Sequence, residues 1–191
     1  MGVLPRDFTP TSEQLSLHGL GFIQLKLEGN QRLHVWHPDL PRRACFAHSA
    51  IHNHRFSFRS TVLVGVQINR RYDVTHSETL STHDVISHDG PRQPEGGRLS
   101  YVSGSASVTP HPDETYVAGR SYDMHAGEYH ETPNSGIVVT LMRKLEEETS
   151  YHACSLIEHG HTFDQGFDLL IVRLRRQKHV LRRLHALHRL R

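Results

Sequence analysis

Phe22-Ile23-Gln24-Leu25-Lys26-Leu27 alternates apolar and polar residues, Glu28-Gly29-Asn30-Gln31 interrupts, and Arg32-Leu33-His34-Val35-Trp36 alternates back. A period of two places alternate side chains on opposite faces of an extended strand. Gly29-Asn30 supplies the positive-φ positions of a tight turn, so residues 22–36 are predicted to form a β-hairpin. Working outward, strand-like runs recur at 61–68, 71–75, 98–108, 115–118, 121–125 and 136–142, while the Gly- and Pro-rich stretch 87–97 reads as a loop. Helical periodicity is nearly absent before residue 160. Short strands at intervals of roughly 8–12 residues predict an all-β sandwich or barrel.

The pattern changes at Leu169. Leu170, Leu174, Leu181, Leu184 and His188 share one helical face, and the last 23 residues hold seven arginines and one lysine. This predicts a basic amphipathic C-terminal α-helix. The domain division that follows is a β domain at 1–165, including the N-terminal hairpin, and a basic helix or tail at 166–191. A helix packed on the β domain or on a second subunit is the favoured reading of the tail. Nucleic-acid association through its arginines is the second. Membrane-surface binding is the third, because the tail lacks aromatic anchors.

Composition narrows the remaining classes. A chain of 191 residues can bury a sizeable core without staples. Two cysteines, Cys45 and Cys154, are too few for a disulfide framework and read as reduced packing thiols. The N-terminus shows no basic stretch leading into an apolar run, and no apolar window approaches the length of a membrane span. A soluble, cytoplasmic protein is the expectation. The formal net charge of +2 is too small to imply a polyanionic partner for the whole molecule.

Eighteen histidines are far more than packing requires, and only spacing can separate functional ones from the rest. In Ala50-Ile51-His52-Asn53-His54, the two histidines lie two apart, so in a strand they project to the same side. Their ring nitrogens can then meet one metal ion at about 2.0–2.1 Å. In Gly119-Arg120-Ser121-Tyr122-Asp123-Met124-His125-Ala126-Gly127-Glu128-Tyr129-His130, the last residue follows a glycine-containing turn and can approach from a neighbouring strand. A pair such as His159-Gly160-His161 is of the kind that arises by chance in a histidine-rich chain.

These two stretches resemble, in order, the two motifs of the cupin superfamily. The first motif is matched at His52, His54 and Gly65, with Phe46 and Phe58 where a glycine and a glutamate would stand. The second is matched at Gly119, Gly127, His130 and Asn134, with His125 in place of a proline. The resemblance implies a cupin-type jelly-roll β-barrel that holds one divalent metal on His52, His54 and His130. In the family the missing glutamate is a carboxylate ligand. Phe58 has even parity with His54, so the site implied here is free of carboxylate and has an apolar wall.

Such a site is similar to that of the three-histidine thiol dioxygenases. Arg59, Arg98 and Arg120 are the available counterparts of the arginine that binds substrate carboxylate there. The function implied is a mononuclear non-haem metal dioxygenase-like enzyme acting on a small molecule, with iron as the favoured metal and zinc or nickel as alternatives. A non-catalytic ligand-binding or structural module whose tail recruits a partner is the second reading. His48, by strand parity, and Glu131, beside His130, are candidates to line or support the site. His125 is a candidate fourth ligand. Cupins commonly pair through edge strands, so a homodimer is implied as well.

Overall fold

The computed structural model describes residues 14–91 and 98–164. The hairpin is present as β2 (Phe22–Lys26) and β3 (Gln31–Trp36), paired with Phe22 opposite Trp36 and Gln24 opposite His34. Gly29 and Asn30 both take positive φ, 62° and 63°, as a tight two-residue turn requires. Alternation splits the hairpin into two apolar faces. Ile23, Leu25, Leu33 and Val35 pack together on one side with Leu17 and Val139. Phe22 and Trp36 turn to the other side and join the main core.

The chain is all-β and forms two antiparallel sheets. The first has the order β1 (Leu15–His18), β2, β3, β11 (Val138–Glu147), β4 (Phe56–Val64), β9 (Ser121–Met124). In the second, β10 (Tyr129–Glu131) is followed by β5 (Val66–His76), β7 (Tyr101–Pro110), β6 (His83–Ser87) and β12 (Cys154–Glu158). Next to β7, β8 (Glu114–Val117) also pairs with β5. The sheets pack through a core in which Phe22, Trp36, Val62 and Val138 from the first meet Ile86 and Ile157 from the second. Burying each such side chain fully stabilises the fold by roughly 1.5–3 kcal/mol.

A closed jelly-roll barrel, expected from the sequence, is not what these strands build. The edges β10 and β12 of the second sheet are joined only by isolated bridges at His52, which pairs with His130 on one side and Ser155 on the other. A single residue cannot continue a ladder: the buried Asn53 turns its amide oxygen to the Cys154 N–H, 2.7 Å away. Strands β6 and β12 escape sequence reading because they are buried on both faces and lack alternation. The predicted C-terminal helix, and with it the domain boundary at 165/166, lies outside the described residues. Among the described residues no helix is long and apolar enough to cross a membrane.

One corner matters for the site. Strands β4 and β5 are a nearly continuous chain that passes from the first sheet into the second at Gly65, where φ is 79°. This bend places Phe58 and Ser60 of one sheet, and Gln67 and Asn69 of the other, around a common interior.

Candidate metal centre

The His52-x-His54 segment is fixed by its backbone on both sides. His52 and His130 exchange N–H···O bonds of 2.9 Å in each direction. Asn53 N–H donates to Cys154 O, Leu156 N–H to Ile51 O, and Gly127 N–H to His54 O. Ile51 packs away from the site among Val85, Ala106 and Leu156. The alternation therefore drives His52 and His54 to the other side, where His130 arrives from β10. Imidazole nitrogens of the three residues lie within 4.8 Å of one another. His54 Nε2 and His130 Nε2 are 3.2 Å apart, close to the edge of about 3.3 Å that tetrahedral coordination at 2.0–2.1 Å would set.

Two of the three tautomers are set as metal binding requires. His52 Nδ1–H donates to the Ala50 carbonyl at 2.9 Å. His130 Nδ1–H donates to Asn69 Oδ1 at 2.7 Å. Each commits its proton to Nδ1 and leaves an Nε2 lone pair for an ion. The amide of Asn69 is itself oriented, because its Nδ2 donates to Glu114 Oε2 at 2.9 Å. Arg71 Nε in turn holds Glu114 Oε1 at 3.0 Å. Burial, reinforced by the neighbouring imidazoles, holds His54 well below the usual histidine range. Burial does the same for His130, with help from the charges of His52 and Arg71. It also lowers His52, against the pull of the Ala50 carbonyl. All three are neutral at neutral pH, the state that ligates metals.

A small cavity between the sheets opens onto this group. Phe22, Trp36, Phe58, Tyr122 and Met142 form apolar wall, and Ser60, Gln67, Thr132 and Thr140 add neutral polar groups. Among the described residues no Asp, Glu, Lys or Arg lines the cavity. His34 lines the cavity from β3, and its Nε2 is buried without a hydrogen-bond partner among the described residues.

The other candidates from the sequence fall in different places. Phe58 is in the cavity, its ring 5.1 Å from that of His54. His48 is outside it, exposed at the end of the 3₁₀ turn Ala44–Ala47. His125 is exposed in the turn after β9, where its backbone N–H is held by Glu128. Glu131 accepts hydrogen bonds from Tyr72 OH and Arg70 Nη1 rather than supporting a histidine. Adjacent strand residues point to opposite faces, so Glu131 is turned away from the face His130 uses. Arg59 pairs with Asp123, Arg98 reaches Gly90 O, and Arg120 is exposed, so none of them enters the cavity. The supporting role falls to Asn69, which no local motif marks. Asn134, the last matched position of the second motif, is a brace: its Oδ1 accepts Ile68 N–H and its Nδ2 donates to Gln67.

Burial also makes the interior acid-sensitive. It pushes His34 down to about 3, with Arg32 adding to the effect, and His88 down to about 4, with Arg43 and His52 adding. In the unfolded chain both titrate near 6.5, so below that pH the unfolded state takes up protons that the folded state refuses. Stability is therefore complete above about pH 7 and falls with acidification toward pH 4. By pH 5.5 the two groups together cost about 3 kcal/mol, or roughly 6–12 °C in melting temperature. Melting curves between pH 7.5 and 5 should show this decline, and His34→Gln should flatten it. A flat profile in the parent protein would contradict the assignment.

Fold and site together define an all-β protein of two antiparallel sheets with a three-histidine group able to bind a metal ion. No protein-family model, curated protein or solved structure matches the chain.

Proposed function

We propose that the protein is a mononuclear metalloprotein of the cupin kind, in which His52, His54 and His130 hold one divalent ion and a small molecule binds beside it. The observation that carries this reading is the pair of fixed tautomers, His52 on Ala50 O and His130 on Asn69 Oδ1, with both Nε2 atoms turned into one cavity. Three neutral ligands leave positions open for a substrate atom and a second small ligand. Fe(II) there would supply dioxygen chemistry, and Zn(II) would lower the pKa of a coordinated water.

We favour iron and a dioxygenase-type reaction on an uncharged substrate. Among the described residues the lining has no charged side chain, so a carboxylate on the part of the substrate away from the ion would find no counter-ion in the walls, and desolvating it there is costly. The apolar walls would instead enclose the body of the molecule and exclude water. His34, neutral and with hydrogen-bonding capacity to spare, would orient a polar group of the substrate.

The test is oxygen uptake by protein reconstituted anaerobically with Fe(II), using matched pairs of small thiols with and without a carboxylate. Uptake with the uncharged member only is the expected result. Preference for the carboxylate-bearing member would overturn the substrate assignment. Saturable binding with no uptake would favour the second reading, a ligand-binding module, because apart from histidines the described residues of the cavity include no side chain suited to moving protons at neutral pH.

A further inference from the structure

A second cluster lies on the outer surface. His48 at the end of the 3₁₀ turn, Glu158 at the end of β12 and His161 just beyond it present ligand atoms within 4.8 Å of one another. The local chain explains the convergence. His161 N–H donates to Glu158 O, and Gly160 takes a φ of 89°, so a tight turn sets residues 158 and 161 side by side. His48 then stacks on His161 with ring centroids 3.7 Å apart and planes 13° from parallel.

These three side chains make no hydrogen bond or ion pair with any described residue. Other surface histidines do pair with carboxylates. His159 is within 3.4 Å of Asp84, His111 within 3.0 Å of Asp73, and His152 within 2.8 Å of Asp89. At the 48/158/161 cluster a carboxylate stands beside two imidazoles without bonding to either. Two imidazoles and a carboxylate are also the donor set of many zinc sites, which need ligand atoms about 3.3 Å apart. To share one ion the stacked rings must tilt apart so that both planes meet it, a rotamer adjustment open to the exposed His48 and Glu158 beside the half-buried His161.

We propose that His48, Glu158 and His161 form a second, independent site for a borderline divalent ion of the Zn²⁺ class, with water completing the coordination. The ion would tie the turn that precedes the His52-x-His54 segment to the end of β12, which pairs with His52. It would also pin the start of the segment containing Phe163, whose ring packs against Phe46 and His88 and lies under the Arg43 guanidinium. The site does not depend on the three-histidine cavity, and the experiment separates the two.

The full-length chain and a His48→Ala/His161→Ala variant are equilibrated with zinc sulfate at fixed free concentration, and bound zinc is measured by elemental mass spectrometry. The variant is expected to hold one zinc fewer per chain, with an unchanged melting temperature in the metal-free state. His52→Ala/His54→Ala is expected to leave that surface ion in place. Equal zinc in the parent and the His48→Ala/His161→Ala variant overturns the proposal, whatever the cavity binds.

Discussion

Gly65→Ala should destabilise the protein by at least about 3 kcal/mol, seen as a fall of roughly 6–12 °C in melting temperature. Two causes add. The φ of 79° is a conformation in which an L side chain costs roughly 1–2 kcal/mol. A Cβ at this position would also stand 2.3 Å from the Ile137 carbonyl oxygen, a backbone atom that cannot swing aside. Gly119→Ala separates the two contributions, since Gly119 has a φ of 86° with no heavy atom within 4 Å of an added Cβ. Its cost should be no more than about 2 kcal/mol. Equal losses at the two positions would mean that the approach of Ile137 to the β4–β5 corner does not matter. Because that corner places Asn69 under His130, Gly65→Ala should weaken metal binding as well.

Asn69→Leu should lower metal affinity 10- to 100-fold while leaving the three ligands in place. Asn69 is fully buried, and its Oδ1 is the acceptor that commits the His130 proton to Nδ1. Without it, His130 no longer has a fixed tautomer, and part of the population presents a protonated Nε2 to the ion. Glu114 keeps Tyr116 OH and Arg71 as partners, so the metal-free fold should lose only about 1–3 kcal/mol. Two readouts distinguish positioning from general damage. Metal titration should show the affinity loss, and long-range ¹H–¹⁵N spectra of the metal-free protein should show His130 changing from one tautomer to a mixture. An unchanged tautomer with unchanged affinity would remove Asn69 from the site.

The legible parts of this protein are those where one local rule acts alone. The 22–36 hairpin follows from alternation and a Gly-Asn turn, and both central residues take the left-handed conformation that the pair implies. His52, His54 and His130 emerge from spacing within two short stretches, and the structure brings them together. Parity fails at His48 because it caps the 3₁₀ turn Ala44–Ala47 in a helical conformation (φ −102°, ψ −43°), so the extended segment that carries His52 does not reach back to it. Asn69 could not be read from the chain. It sits in the long strand β5, and its role depends on the bend at Gly65 and on pairing between Glu131 and Arg70 of neighbouring strands. Doubly buried β6 and β12 lack the polar half of a strand pattern, and whether edges close into a barrel is decided by pairing that no local sequence records.

The central expectation is that the three-histidine group holds a metal ion. The most direct measurement is the metal content of the purified chain by elemental mass spectrometry. It should be made in the His48→Ala/His161→Ala background, beside the same protein carrying His52→Ala or His130→Ala. We expect one ion per chain in the background protein and its loss in both further variants, with each variant still folded. No ion in the background protein after reconstitution with Fe(II) or Zn(II), or an ion retained in both variants, would contradict the account.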